Sequence, residues 1–299
     1  MRRIVAAGLL FALVVWTSCA FAETTIYYQA EGMQEKKIAI TVDDCIYASG
    51  LNSILDMAQE YGMSITFFPN GQNMRDNPEV FQRMVAEGHE IANHCQNHRN
   101  LLRKTDEVIA RQLHQMEITT QEVLGFPYKI TMMRPPFGNG AYRTSPSYIA
   151  EQIGKAGYEY IIMWSIDSTR EKTVLSRVEP GSILLFHSDK QDVACLREVL
   201  PLLVEQGYEF VTVSELLGIP GCAPVPEEEW ANYPLGSTTT YVTWGETTKL
   251  HLGTDPKQTV ITTLPKGTEI EVLRMENDWA HVLYEGKVYY CAAGALRKK

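Results

Sequence analysis

From Lys36 onward the chain alternates short apolar, β-branched runs with segments whose apolar residues recur at helical spacing, the pattern of an α/β domain with mostly parallel strands. Residues 38–42 read as a buried strand. Residues 51–61 carry Leu51, Ile54, Leu55 and Ala58 on one helical face, and Gly62 supplies a stop. A second strand is predicted over 64–68, and a second helix over 78–87 with Val80, Phe81, Met84 and Val85 together. The alternation continues with a strand at 90–92, a long helix over 105–124, and strands at 130–133, 160–165 and 182–186. Helices at 145–156 and 196–206 separate the later strands, and a last strand and short helix lie in 210–217. About seven such alternations predict a (β/α) barrel or an open α/β sheet.

The pattern changes at Gly218. Residues 218–226 contain three prolines and two glycines and are followed by Glu227, Glu228 and Glu229, the composition of a domain boundary. Beyond them, 238–296 is β-like, with strands at 260–261, 269–273, 280–283 and 288–290 split by the turn pairs Lys266-Gly267 and Glu285-Gly286. At the other end, Arg2 and Arg3 precede an uncharged apolar run, and Ala20-Phe21-Ala22 gives a small-x-small cleavage pattern. The expected organisation is a signal peptide at 1–22, an α/β domain at 23–217, a linker at 218–236 and a small all-β barrel at 237–299. Two other readings of the N-terminus stand beside cleavage: the uncharged stretch 4–22 approaches a membrane span in length, and Thr17-Ser18-Cys19 resembles the end of a lipoprotein box.

Composition narrows the function classes. With 299 residues, 45% hydrophobic and 21% charged, the chain can bury a sizeable core and is not a disordered one. A net charge of −9 with no basic stripe argues against nucleic acid or anionic lipid as a partner. Six cysteines are too few for a disulfide scaffold at this length.

Three polar groups follow predicted strands, where the loops of an α/β barrel build a site. Asp43-Asp44 ends the first strand; alone, the pair reads equally as a helix cap with a solvated neighbour. His94-Cys95-Gln96-Asn97-His98 spaces two imidazoles so that one side of a helical turn would bring both to one ion. His187 closes the apolar run 183–186 and by itself reads as a packed or solvated residue. Together, Asp44, His94 and His98 offer one oxygen and two nitrogens, a donor set that leaves positions on Zn²⁺ or a similar divalent ion open for water and substrate. A neighbouring carboxylate and a distant histidine would complete an acid/base hydrolase.

The segments ITVDD, GHEIANHCQNH, RPPFG (134–138), MWSIDS (163–168) and ILLFH (183–187) occur in this order, and in this the chain resembles the NodB-homology polysaccharide deacetylases, carbohydrate esterase family 4. The resemblance covers roughly residues 36–217. It implies a distorted (β/α) barrel and a role for each matched residue. Asp43 would be the general base, Arg134 its partner, and Asp44, His94 and His98 the ligands of a divalent metal, Zn²⁺ first, with Co²⁺, Ni²⁺ and Fe²⁺ suiting the same donors. The Phe137 N–H would serve the oxyanion, Trp164 and Leu185 would shape the acetyl pocket, and His187 would be the acid. The implied substrate is an N-acetylated glycan.

Some positions depart from the family pattern. An Asp-Trp pair that usually follows the fourth motif and tunes the acid is replaced by Arg170 and Glu171, leaving Asp167 or Glu171 as substitutes or the acid step weakened. Cys45 and Cys95 adjoin the implied ligands, so the resemblance brings them near enough for a Cys45–Cys95 disulfide to be conceivable; two buried thiols are the other reading. Cys195 with Cys222 would tie the last helix to the linker, though nothing in the sequence fixes that pairing. His114, His251 and His281 read as surface residues.

The C-terminal pieces LPKGTEIEVL, NDWAHV and EGKVYY resemble bacterial Src-homology-3-like domains. That resemblance implies cell-wall contact and biases the substrate toward peptidoglycan. Trp279, Tyr284, Tyr289 and Tyr290 fit a stacking face or the domain core equally. Chitooligosaccharide, O-acetylated xylan and a catalytically silent wall-binding protein are the alternatives; oligomeric state is not legible.

Overall fold

A strand that the hydrophobic pattern does not predict, β1 (Thr25–Tyr27), is the first element of the described residues. The structure is a computed structural model describing residues 24–141, 148–232, 239–251, 260–276, 278–284 and 287–299. The expected signal segment, Cys19, the start of the helix at 145–156, part of the linker and the Glu285-Gly286 turn lie outside the described residues. Next come β2 (Lys37–Asp44), α1 (Ala48–Tyr61), β3 (Thr66–Pro69), α2 (Gly71–Asp76), α3 (Pro78–Ala86), β4 (Glu90–Ile91) and α4 (Asp106–Leu124). They are followed by β5 (Tyr128–Lys129), β6 (Met132–Met133), α5 (Tyr148–Lys155), β7 (Tyr160–Ile162), β8 (Ile166–Asp167), α6 (Glu171–Arg177) and β9 (Ile183–Phe186). The first domain ends with α7 (Lys190–Glu205), β10 (Glu209–Phe210), α8 (Val213–Leu217) and β11 (Ala223–Pro224).

Apart from β5 and β11, these strands form two parallel sheets. One runs β4-β3-β2-β9-β8, with β10 also on β2; the other runs β1-β7-β6. A bridge between Asn93 and Met133 joins β4's end to β6, so the sheets curve round as an incomplete barrel. Central β2 is apolar on both faces because β3 and β9 flank it and helices cover the outside. Helix α1 forms as its spacing predicts: Leu51, Ile54, Leu55 and Ala58 are buried, the two leucines and the isoleucine each contributing about 1.5–3 kcal/mol. Gly62 ends it at φ 63, its N–H returning to Ala58 and Gln59 carbonyls.

Two differences between expectation and structure come from polar capping. Helix α7 starts at Lys190, before the expected 196, because Asp189 caps it by accepting from the Gln191 and Asp192 N–H groups. Helix α2 carries almost no apolar periodicity and is fixed by Asn70, whose side chain accepts from Asn73 N. Part of the expected linker is not one: β11 pairs antiparallel with β5, and Cys222 is buried in the barrel's main core.

The C-terminal domain is all-β, as expected. Its strands β12 (Thr239–Thr243), β13 (Thr247–His251), β14 (Val260–Pro265), β15 (Glu269–Glu276), β16 (Trp279–Tyr284), β17 (Lys287–Ala292) and β18 (Leu296–Lys298) form one sheet in the order β14-β13-β17-β16-β15-β12-β18. Leu250, Leu264, Ile270, Val272, Ala280, Val282, Cys291 and Leu296 make a separate core. Tyr284 and Tyr289 pack against that core, Trp279 meets the His251 ring, and Tyr290 meets the His281 ring. Contrary to expectation, His251 and His281 are buried. His281 Nδ1 meets Glu122 of α4, a contact that no pattern within its own strand reveals.

Of the two readings of Cys45 and Cys95, the structure has the buried thiols and not the bridge, and Cys195 and Cys222 are free thiols as well. Cys45 points its Sγ at the Val42 carbonyl within one core, whereas Cys95 packs into another with Leu101, Ile109 and Leu113. The two side chains thus lie in different cores. Cys195 approaches the Ser168 carbonyl, and Cys222 lies beside Thr131. No described helix is long and apolar enough to cross a membrane.

Candidate active site

The C-terminal ends of β2 and β9 and the loop after β4 bring the expected residues together. Extended β2 carries Asp43 inward, and the next two residues, Asp44 at φ 60 and Cys45 at φ 55, turn left-handed. That turn lets both adjacent carboxylates face the same histidine. Asp44 Oδ1 lies 3.2 Å from His98 Nε2 and 3.5 Å from His94 Nε2, while Asp43 Oδ2 is 3.8 Å from His94 Nε2. The two histidines do not sit on a regular helical turn. Cys95 at φ 66 and His98 at φ 44 make an irregular one, which still places the rings 5.1 Å apart.

The donor set fits a divalent metal. One atom each from Asp44, His94 and His98 lies within 4.8 Å of the others. His94 Nδ1 bonds the Arg134 carbonyl at 2.7 Å, so Nδ1 carries the proton and Nε2 presents its lone pair toward Asp44. Burial pushes the His94 pKa down, favouring the neutral ring that a metal requires. Asn70 Nδ2 donates to Asp44 Oδ1 at 3.5 Å, and Asn73 Nδ2 to the Asp44 carbonyl at 2.9 Å. These two asparagines orient Asp44, and the sequence reading did not include them.

Arg134 is fully buried. Its Nη1 donates to Asp43 Oδ1 at 2.6 Å and to Thr41 Oγ1 at 2.9 Å; Nε and Nη2 each donate at 2.9 Å to the Ile162 and Met163 carbonyls. The guanidinium also lies 4.2 Å from the Phe68 ring centroid and 5.5 Å from that of Trp164. A buried cation with this many partners locks the Asp43 carboxylate in one orientation.

His187 follows β9. Its Nδ1 lies 3.0 Å from Asp192 Oδ2, which also accepts the His187 backbone N–H at 2.7 Å. The Asp192 hydrogen bond, helped by the charges of Asp43 and Asp44, raises the His187 pKa to about 9 despite partial burial. The tuning carboxylate is therefore Asp192, in the first turn of α7, and not the expected Asp167. Asp167 is close enough for the His187 charge to be felt, but burial raises its own pKa, and the bond to His187 Nδ1 is already made. An acid in the first helical turn after a strand-end histidine was the available signal for Asp192.

Phe137 adopts φ 59 in the turn after Arg134, and its exposed ring packs 4.5 Å from that of His98. Ile46, Tyr47 and Phe137 are large apolar residues left exposed, of which the sequence reading included only Phe137. Leu185 is buried in β9 and Trp164 is half-buried. A groove of about 430 Å³ lined by Tyr47, Ser49, Ser53, Ser188 and Lys190 adjoins the segment bearing His187.

Residues 30–161 match the family model described as polysaccharide deacetylase. The chain is 32% identical over 201 residues to a peptidoglycan-N-acetylglucosamine deacetylase of Bacillus cereus, covering 61% of this chain and 89% of that one. It is also 32% identical over 193 residues to the Listeria monocytogenes peptidoglycan-N-acetylglucosamine deacetylase PgdA, where the match covers 61% of this chain but only 39% of the relative. Among solved structures, a family 4 carbohydrate esterase from Bacillus anthracis superposes with a TM-score of 0.55 at 28% identity, over 64% of this chain and 87% of the other. The ordered motifs, the barrel and these relatives lead to one conclusion: the chain belongs to the polysaccharide deacetylase family.

Proposed function

We propose that the protein is a secreted, metal-dependent N-deacetylase that hydrolyses N-acetyl groups of cell-wall amino sugars, peptidoglycan first among them, to acetate and free amine. The observation that carries this reading is the placement of a locked carboxylate, Asp43 on Arg134, beside a three-donor metal site and within electrostatic reach of a protonated His187. The names of the Bacillus cereus and Listeria relatives support the substrate class.

Asp44, His94 and His98 would hold the ion, which when bound supplies Lewis acidity for the acetamide carbonyl and lowers the pKa of water. Asp43, oriented by Arg134, takes the proton from the attacking water. Attack on the acetamide carbon converts the carbonyl oxygen to an oxyanion, for which the Phe137 N–H is the assigned protein donor. Trp164 and Leu185 enclose the acetyl methyl. Collapse breaks the carbon–nitrogen bond while His187, its imidazolium held by Asp192, protonates the departing amine. An amine cannot leave as an anion, so this proton is needed for amide cleavage.

The acid supports amide hydrolysis over removal of an O-acetyl ester, whose alkoxide needs less help. The full set of base, ligands and acid counts against a silent binding protein. Wall contact through the C-terminal domain belongs to the same reading: Trp244 is exposed, with Arg297 and Lys266 over its ring, which suits a glycan bearing carboxylates. Secretion rests on the N-terminal pattern and is checked by finding the exported chain's N-terminus near Glu23. The substrate test is acetate release by the zinc-loaded chain from peptidoglycan, acetylated chitooligosaccharide and acetylated xylan in parallel. Release from peptidoglycan first supports the reading; preference for xylan overturns it in favour of an esterase.

A further inference from the structure

Helix α2 brackets the candidate metal site. Its first N–H groups, Gly71 and Gln72, donate to the Cys95 and Gln96 carbonyls at 3.1 and 2.8 Å, inside the turn that carries His94 and His98. Asn70 and Asn73, at its N-cap and first turn, hold Asp44. The glycine leaves room for the Gln96 side chain against α2, since a Cβ on Gly71 would meet Gln96 Oε1 at 2.3 Å. All three ligands therefore depend on where α2 sits.

The far end of α2 is tied down through α4. Arg75 Nη2 donates at 3.0 Å to both Glu122 Oε2 and Thr119 Oγ1, and Thr119 Oγ1 donates at 3.0 Å to Gln96 Oε1. Glu122 is buried, and its other oxygen accepts from His281 Nδ1 at 2.5 Å. His281 belongs to β16 of the C-terminal domain and is itself buried, with the Tyr290 ring against it. An unbroken run of polar contacts thus leads from the second domain to the ligand turn.

We infer that the C-terminal domain is a positioning element for the metal site: His281 fixes Glu122, Glu122 fixes Arg75, and Arg75 with Thr119 sets α2 and the turn 94–98 against Asp44. Outer contacts that orient metal ligands change affinity strongly when removed, and coupling through packed polar runs is smaller but measurable. The second domain then serves catalysis directly, besides any contact with the wall. The inference rests on the metal-site reading above, and the experiment separates the two.

The test uses the full chain with His281→Ala, His281→Asn, which keeps a side-chain N–H donor, and Ile261→Thr, an exposed position on β14 of the same domain. Two quantities are read: Co²⁺ affinity, and amide exchange at Gly71 and Gln72 in the metal-free chain. His281→Ala is expected to weaken Co²⁺ binding about threefold to tenfold and to speed exchange at Gly71 and Gln72 while Ile161 and Ile162 in β7 keep their rates. His281→Asn should restore most of both, Ile261→Thr should change neither, and with substrate kcat should fall in His281→Ala while KM holds. Unchanged exchange and unchanged affinity in His281→Ala overturn the inference. Should that variant not fold, Glu122→Gln in the same two measurements decides it by the same criteria. A wild-type chain that binds no Co²⁺ defeats the metal-site reading, while exchange at Gly71 and Gln72 still decides the coupling.

Discussion

Asp192 Oδ2 binds His187 twice, at the ring Nδ1 and at the backbone N–H. One carboxylate thereby fixes the ring's orientation and holds its proton, with the His187 pKa raised to about 9. The imidazolium is the competent form of a general acid, and it exists below the pKa. Wild-type kcat/KM should therefore hold through neutral pH and fall as pH rises through about 9. In Asp192→Asn the pKa drops toward the ordinary histidine value, so the alkaline limb moves to lower pH. At pH 8 the imidazolium fraction falls by up to about thirtyfold. A pH–rate profile checks this, and an alkaline limb that stays in place assigns the proton elsewhere.

Arg134 should matter for stability as well as chemistry. Replacing it with Met removes the buried partner of Asp43 and the donors to the Ile162 and Met163 carbonyls. The expected loss is about 3–5 kcal/mol in urea unfolding. Arg134→Lys should recover only part of this, since an ammonium cannot reproduce the fork that meets Asp43, Thr41 and two carbonyls at once.

The five described cysteines should behave as buried thiols. Burial raises the pKa of Cys45 and Cys95, and the nearby Asp43 and Asp44 charges raise that of Cys45 further. A thiol-specific alkylating reagent should leave both unlabelled in the native chain and label both in urea. Non-reducing peptide mapping that finds Cys45 joined to Cys95 would refute the structure at this point.

Chelation should separate folding from activity. The candidate ligands are held by protein contacts, His94 by the Arg134 carbonyl and Asp44 by Asn70 and Asn73. Metal-free protein should keep its far-UV circular dichroism and lose acetate release, and Zn²⁺ or Co²⁺ should restore it. Loss of secondary structure on chelation would show that the metal builds the site instead of occupying it.

Much of the barrel and the ligand set is legible in the sequence because both rest on local signals. Apolar spacing marks α1, α3 and α4, and Asp43, Asp44, His94, His98 and His187 follow strands whose runs are plain. What escapes is set by tertiary contact. Asp192 partners His187 only once α7 has been capped by Asp189, and α2 has too little apolar surface to announce itself. His281 looks like a surface residue until the second domain meets Glu122. The Cys45–Cys95 bridge that implied proximity made conceivable fails for a similar reason, since the two side chains pack into different cores.

The most direct test of the account is acetate released from peptidoglycan by the zinc-loaded chain, measured beside Asp43→Asn with its bound metal quantified. The account predicts release by the wild type and a loss of at least about a hundredfold in the variant, the typical scale of a lost general base, at equal metal content. Equal release from both, or none from a fully loaded wild type, would contradict it.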